Sequence, residues 1–171
     1  MMAMESTSAS DHVLRTLGHL KKALIDTSSI LYMQKAGYFD ELGRAIQLYS
    51  IPEVVSEIKS QVSRLTLIRM PELQSSFSTD RKLIACALEN KLTMISEDKR
   101  ILTAMRHAKA PYYNALMMLN YLLMTHRIED NGYRCYFSEL KKIARYDEAV
   151  WKYGGQIYTA VKSKLNAETH F

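Results

Sequence analysis

KALIDTSSIL, residues 22–31, combines a short apolar run with an acid and a row of hydroxyl side chains. The apolar run, residues 23–25, predicts a strand that is buried on both faces, as in a parallel sheet. Asp26 then lies at the carboxyl end of this strand, the edge of an open α/β sheet where ligands bind. Asp26 can equally be a helix cap, followed by the hydroxyls of 27–29. The segment alone leaves both interpretations of Asp26 open.

Outward from this segment, strand and helix patterns alternate as far as residue 110. Such alternation predicts a three-layer α/β/α fold with a central parallel sheet and helices on both faces. The predicted strands are 23–25, 50–51, 65–70 and 92–95, and the predicted helices are 11–20, 29–33, 38–49, 52–60, 79–90 and 99–107.

The last third of the chain has a different character, because strand patterns stop at residue 111. The predicted helices there are 112–126, 133–145 and 147–165. Asn131 and Gly132 are expected to break the chain, and the glycine pair at 154–155 to kink the final helix.

The helix 112–126 is apolar on almost all sides, so another surface must cover it. We therefore expect a homodimer, or a partner segment that lies on these helices. The tyrosines and methionines of this region suit a packed core or a subunit interface better than base stacking. The predicted divisions are a leader with a short helix at 1–22, an α/β core at 23–110, and a helical extension at 111–171 that packs on the core or forms an interface.

The composition limits the class of protein. A chain of 171 residues that is 47% hydrophobic and 24% charged is typical of an ordinary globular protein. The net charge of +5 is compatible with a polyanionic partner but does not establish one. Cys86 and Cys135 stand alone, without a CxxC spacing, which favours a reducing compartment.

The expected location is the cytoplasm. The first ten residues are Ser-rich and look frayed, and they lack the apolar region of a signal peptide. No apolar run approaches the roughly 18 residues of a transmembrane helix, so we expect no membrane association.

Three more acids occupy positions comparable with that of Asp26. Asp98 follows the strand at 92–95, Asp80 opens the helix 79–90, and Glu57 lies on the helix 52–60. Right-handed crossovers bring the carboxyl ends of parallel strands to one edge, so Asp26 and Asp98 should face one crevice.

Four neighbouring carboxylates raise one another's pKa and destabilise a fold unless a cation offsets their charge. Oxygen ligands select Mg²⁺ or Mn²⁺, and no His or Cys stands at zinc-ligand spacing. An ion held in this way commonly acts on phosphate groups.

Four segments in this order resemble the PIN-domain nucleases, particularly the small VapC-like toxins of toxin–antitoxin pairs. They are LIDTS at 24–28, IPEVVSEI at 51–58, TDRKLIACALE at 79–89 and MISED at 94–98. The resemblance covers roughly residues 23–109. The helices that follow depart from the VapC-like pattern, in which the chain ends soon after a short last strand, and 107–111 leaves little room for such a strand. The chain thus looks like a PIN-like branch with a helical extension.

The resemblance implies a metal-dependent endoribonuclease that hydrolyses RNA phosphodiester bonds with Mg²⁺ or Mn²⁺, and it implies an antitoxin as a possible partner. Glu97 is expected to be only a solvated neighbour of the site. The implied catalytic and metal-binding residues are Asp26, Glu57, Asp80 and Asp98, with Thr27 or Ser28, and Ser96, supporting them through their hydroxyls.

Lys82, Lys99 and Arg100 lie near these acids in the sequence and are candidates for contact with substrate phosphates. The competing hypothesis is a non-catalytic PIN-like module that binds RNA or protein. In that case the acids are relics or hold a structural ion.

Overall fold

A computed structural model describes residues 2–170 of the chain, with side chains from residue 9 onward. The strands are β1 (Lys22–Ile25), β2 (Gln47–Ser50), β3 (Leu65–Leu67), β4 (Thr93–Ile95) and β5 (Tyr112–Tyr113). The helices are α1 (Met2–Gly18), α2 (Thr27–Ala36), α3 (Phe39–Ala45), α4 (Pro52–Glu57), α5 (Thr79–Glu89), α6 (Lys99–His107), α7 (Ala115–Met124), α8 (Asp130–Ile143) and α9 (Glu148–Glu168), with a 3-10 turn at Glu72–Gln74.

The five strands form one parallel sheet in the order β3-β2-β1-β4-β5. The chain runs outward from β1 to β3, returns to the other side of β1, and runs outward again to β5. With right-handed crossovers, α2, α3 and α4 cover one face of the sheet, and α5 and α6 cover the other. The predicted three-layer α/β/α fold with a central parallel sheet is confirmed.

The central strand β1 is the most buried part of the sheet. Ala23, Leu24 and Ile25 have no exposed surface, because β1 pairs with β2 on one side and β4 on the other. A strand buried on both faces needs apolar residues at every position rather than at alternate ones. The order of the strands reverses beside β1, so the carboxyl ends of β1 and β4 flank a crevice.

The predicted helix at 38–49 is wrong in its second half, where β2 begins. Ile46, Leu48 and Ser50 are buried and the residues between them are more exposed, which is the period of a strand. The helical spacing of Phe39, Leu42 and Ile46 runs into this alternation and hides the change of period. Pairing with β1 decides the strand, because both of the hydrogen-bonding edges of β1 need partners.

The expected loss of strands after residue 111 is also wrong. Tyr112 and Tyr113 pair with Met94 and Ile95 to form β5 at the edge of the sheet. Two residues are too few to show a periodic pattern in the sequence. Only their pairing with β4 defines them as a strand. The following helix therefore begins at Ala115, after the Asn114 side chain accepts a hydrogen bond from the Met117 N–H at 2.9 Å.

Two segments expected to be non-helical are helical in the structure. Asn131 and Gly132 lie in the first turn of α8, where an ordinary helix continues through them. The segment expected to be frayed, residues 1–10, lies inside α1 from Met2 onward. Residue 1 itself falls outside the described part of the chain.

Helix α7 is covered within the chain. All ten of its residues are buried, and it packs against α1, α2, α3, α8 and α9. Asn120, a buried polar residue of α7, donates from its side-chain amide to the Gly154 carbonyl oxygen at 3.2 Å, while its side-chain oxygen has no hydrogen-bond partner within the described residues. The argument for a homodimer assumed an uncovered apolar helix, and that premise is wrong.

The predicted divisions at residues 22 and 110 stay a prediction. The core that fills the space between the layers includes Leu14 and Leu17 from the first segment and α7 from the last. The sheet also extends past residue 110, because β5 pairs with β4. Within residues 2–170, no helix is both long enough and apolar enough to cross a membrane.

Candidate functional site

The site lies where β1 and β4 end side by side. The Asp26 N–H donates to the Ile95 carbonyl oxygen at 3.1 Å, so the two strand ends are held in register. Asp26 follows β1 directly, and the turn at 96–98 follows β4. In open α/β sheets this reversal of strand order forms the crevice in which ligands bind.

Asp26 is both a helix cap and a member of the site. Its Oδ1 accepts a hydrogen bond from the Ser29 N–H at 2.9 Å, which caps α2, and its Oδ2 accepts one from the Ser96 hydroxyl. The side chain is only 5% exposed. Burial raises the pKa of this carboxyl above its usual value, and the hydrogen bonds from Ser96 and Ser29 oppose that rise. The two interpretations of Asp26 are thus compatible.

Ser96 joins Asp26 to Asp98. The Ser96 side chain is fully buried, and its hydroxyl donates to Asp26 while accepting from the Asp98 N–H at 3.0 Å. Asp98 in turn caps α6, since its Oδ1 accepts from the Arg100 N–H at 2.7 Å and from the Ile101 N–H at 3.4 Å. The hydroxyl of Ser96 therefore fixes the distance between the ends of β1 and β4.

Glu57 reaches the same edge from α4. It is the last residue of that helix, and its Oε2 accepts a hydrogen bond from the Thr27 hydroxyl at 2.6 Å. Thr27 is adjacent to Asp26 in the chain, so this bond brings α4 to the end of β1. The sequence left Thr27 and Ser28 as alternatives, and Thr27 is the one that makes this contact; Ser28 is exposed.

Asp80, in the first turn of α5, lies within electrostatic reach of two of the other acids. Partial burial raises its pKa, and the negative charges of Asp98 and Glu57 raise it further, with Arg100 acting in the opposite direction. Hydrogen bonds connect Asp26 with Ser96, Ser96 with the backbone of Asp98, and Thr27 with Glu57, whereas Asp80 is connected to the group only through the charges of Asp98 and Glu57. We call the group the acidic ring: Asp26, Ser96, Asp98, Asp80, Glu57 and Thr27.

The carboxylates of the acidic ring are spaced too widely to hold an ion together. Among residues 9–170, no three His, Cys, Asp or Glu side chains are grouped closely enough to hold a metal ion. The donors themselves are carboxylates and hydroxyls, which suit a hard cation such as Mg²⁺ or Mn²⁺. The chemistry of the ring therefore fits such an ion, while its present spacing requires the carboxylates to draw together.

The three candidate substrate cations differ in their surroundings. The Lys82 ammonium donates to Glu53 Oε1 at 2.8 Å and its side chain is only 12% exposed, so it is committed to this ion pair. Lys99 is 85% exposed and lies 3.4 Å from Asp147. Arg100 is exposed, and its charge is the one of the three that lowers the pKa of Asp80. Of these three cations, Arg100 is therefore the one whose charge acts on an acid of the ring.

Glu97 is the residue that the sequence interpretation missed, and the expectation that it is merely solvated is wrong. Its Oε1 accepts hydrogen bonds from the Ser29 hydroxyl at 2.9 Å and from the Ala115 N–H at 2.7 Å. Its Oε2 accepts a hydrogen bond from the Tyr146 hydroxyl. Burial raises its pKa to about 7, although these hydrogen bonds favour the charged form.

One signal for Glu97 existed in the sequence. Side chains alternate along an extended chain, so Glu97 shares a face with the buried Ile95. This alternation predicts burial of Glu97 only when it is known that the helices after residue 111 pack against the same face of the sheet.

The described surface also contains a groove of about 1010 Å³ between α1 and α9, lined by side chains that include Val13 and Ile157. None of the acids of the ring lines this groove. Its position therefore gives no support to a role in the chemistry of the acidic ring.

Comparisons with protein-family models, with curated proteins and with solved structures each find no match. The resemblance to the PIN-domain nucleases therefore rests on the four sequence segments given above. What the acidic ring does has to be argued from its own geometry and chemistry.

Proposed function

We propose that this chain is a metal-dependent endoribonuclease of the PIN type, which hydrolyses phosphodiester bonds in RNA. One observation carries the proposal: four carboxylates from four separate segments lie around the carboxyl edge of a parallel sheet, where the strand order reverses. Two of them, Asp26 and Asp98, come directly after the adjacent strands β1 and β4. Ligand sites in this class of sheet lie at that edge.

The proposed ion would be Mg²⁺ or Mn²⁺, held by Asp26, Glu57, Asp80 and Asp98. The raised pKa of Asp80 supports this assignment, because burial is its first cause and the charges of Asp98 and Glu57 add to it, and a cation would offset that repulsion. When bound, such an ion lowers the pKa of a water molecule and offsets charge on the leaving oxygen.

The other residues of the site have separate tasks in this proposal. Ser96 and Ser29 hold the carboxylate of Asp26 in one orientation, and Thr27 does the same for Glu57. Arg100 is exposed beside the ring and is placed to meet a phosphate of the substrate. Lys82 is the weaker candidate for phosphate contact, because its ammonium is paired with Glu53.

The alternative is a non-catalytic PIN-like module that binds RNA or protein. The open spacing of the acids favours this alternative, since no three of the described ligand-type side chains are grouped closely enough for an ion. The two functions differ in one respect that can be measured, which is metal-dependent cleavage.

The decisive experiment is cleavage of a mixed pool of structured RNA with Mg²⁺, with Mn²⁺ and with EDTA. The test variant is Asp98→Asn, because asparagine is also a good helix cap and α6 keeps its start. Asp11→Asn, an exposed change on α1, is the matched control.

We expect cleavage with either metal, no cleavage with EDTA, a loss of at least about 100-fold in Asp98→Asn, and no loss in the control. Absence of cleavage by folded, inhibitor-free protein under every metal condition would contradict the nuclease and favour the binding module.

The sequence resemblance extends the proposal to a toxin role, with a small antitoxin as partner and the cytoplasm as location. The homodimer expected from the apolar helix stays a prediction, although α7 is covered within the chain. Sedimentation of the purified chain, alone and after co-expression with the product of a neighbouring small gene, tests both kinds of partner.

A further inference from the structure

Glu97 connects three parts of the chain at one carboxylate. Its Oε1 receives hydrogen bonds from the Ser29 hydroxyl of α2 and from the Ala115 N–H at the start of α7. Its Oε2 receives one from the Tyr146 hydroxyl, in the segment between α8 and α9. Both oxygens of Glu97 are thus occupied by donors from the chain itself, which leaves Glu97 poorly suited to be an additional ligand or a base.

The position of Glu97 in the chain gives these bonds their importance. Glu97 is the middle residue of the turn that follows β4. Its neighbour Ser96 holds Asp26, and its other neighbour, Asp98, caps α6. A change in the position of the Glu97 side chain would therefore move the turn that supplies Ser96 and Asp98 to the acidic ring.

The Tyr146 side of this connection is rigidly held. The Tyr146 ring packs edge-on against the ring of Trp151 at 5.1 Å and against that of Tyr32 at 6.1 Å, measured between ring centroids. The Tyr146 hydroxyl therefore has a fixed position from which to hold Glu97. The hydroxyl can be removed while the ring and its packing remain, as in Tyr146→Phe.

We propose that Glu97 and Tyr146 form a clamp through which the helices after residue 111 position the turn at 96–98, and with it Asp26 and Asp98. The inference rests on the proposed nuclease function for its catalytic consequence. It assigns a purpose to the C-terminal helices, which are part of the support of the site rather than an appendage. Glu97 and Tyr146 are positioning residues in this scheme, because they act through Ser96, Ser29 and the backbone of the turn.

The test variant is Tyr146→Phe, which leaves every carboxylate of the acidic ring in place. Tyr158→Phe is the matched control. It removes a hydroxyl that donates to Asp130 at 2.7 Å, in the same group of helices but outside the clamp. Both variants are measured in the full chain for Mn²⁺ affinity, for kcat and KM on the RNA pool, and for amide hydrogen exchange of residues 96–101 and 115–118.

We expect Tyr146→Phe to lower kcat about tenfold with KM nearly unchanged, to weaken Mn²⁺ binding about tenfold, and to speed amide exchange in both segments. Tyr158→Phe should leave all three measurements at their wild-type values. Glu97→Gln, which keeps two acceptor positions for Ser29 and Ala115, should retain more activity than Glu97→Ala.

The outcomes separate the clamp from the nuclease proposal. Metal-dependent cleavage that Tyr146→Phe leaves unchanged, with unchanged exchange, overturns the clamp and leaves the nuclease standing. Faster exchange in Tyr146→Phe but not in Tyr158→Phe, in a chain that never cleaves RNA, supports the clamp and counts against the nuclease. Equal losses in the two tyrosine variants overturn the clamp, since they show a general effect of loosening the helices.

Discussion

At the scale of single residues, the side chains of the site carry out structural and chemical tasks together. Asp26 caps α2 with one oxygen and holds Ser96 with the other, and Asp98 caps α6. An acid at a helix start is stabilising whatever the function of the protein, so capping by itself says little. What distinguishes these two acids is that their helices start at adjacent strand ends, which brings the caps together.

Asp130 offers a pH-dependent test away from the site. The Tyr158 hydroxyl holds the pKa of this carboxyl below its usual value, and Lys162 and Arg134 lower it further. A lowered folded pKa means that the ionised carboxylate stabilises the fold. This stabilisation is present above the unfolded value, near 3.8, and is lost as the pH falls through the lower folded value.

We therefore expect Asp130→Asn to lower the free energy of unfolding by about 1 kcal/mol at pH 7, with the deficit shrinking as the pH falls below the unfolded value of 3.8. Urea unfolding of the wild type and the variant at pH 7, 5 and 3 measures this difference. A deficit for Asp130→Asn that is independent of pH would mean that the charge of Asp130 is irrelevant.

At the scale of elements, the close approach of α7 and α9 depends on one glycine. A Cβ atom at Gly154 would lie 2.2 Å from Cδ2 and 2.9 Å from Cγ of Leu116, whereas a Cβ atom at Gly155 would meet nothing within 4 Å. The sequence favoured a kink at this glycine pair. The structure instead gives Gly154 a packing role, because it lets the two helices touch.

The two glycines provide a matched pair of substitutions. We expect Gly154→Ala to destabilise the fold by about 1–3 kcal/mol, because Leu116 is fully enclosed in the core and has to move. Gly155→Ala should be neutral or stabilising by up to about 1 kcal/mol, since alanine favours a helix and has open space there. Thermal denaturation followed by circular dichroism compares them, and similar midpoints for both variants would show that the helices can separate without cost.

At the scale of the whole molecule, the helices after residue 111 complete the core. They cover one side of the α2 and α3 layer, where the Tyr38 hydroxyl donates to the Ala115 carbonyl oxygen at 2.8 Å. Without these helices the buried Tyr38 would lose its cover, because its hydroxyl bonds to Ala115 of α7 and its ring packs against that of Tyr136 of α8. The cost of exposing each such side chain is about 1.5–3 kcal/mol, so a few of them exceed the stability of a typical domain.

A chain that ends at residue 110 should therefore fail to unfold cooperatively and should bind a dye for exposed apolar surface. A chain that ends at residue 165 is the control, because residues 166–170 of the last helical segment are exposed. Both are compared with the full chain by thermal unfolding. A cooperative transition of the 110-residue chain at the temperature of the full chain would show that the α/β core is independent.

The sequence alone determined the strand at 23–25, the α/β class and the positions of the four acids, because local patterns carry that information. An all-apolar run marks a strand buried on both faces, and acids after strand ends mark one edge of the sheet. The tertiary structure decided what depends on pairing between distant segments: β2, β5, the intrachain cover of α7, and Glu97. A two-residue strand has no period of its own, and Glu97 acquires its role only when Ala115 and Tyr146 fold back onto it.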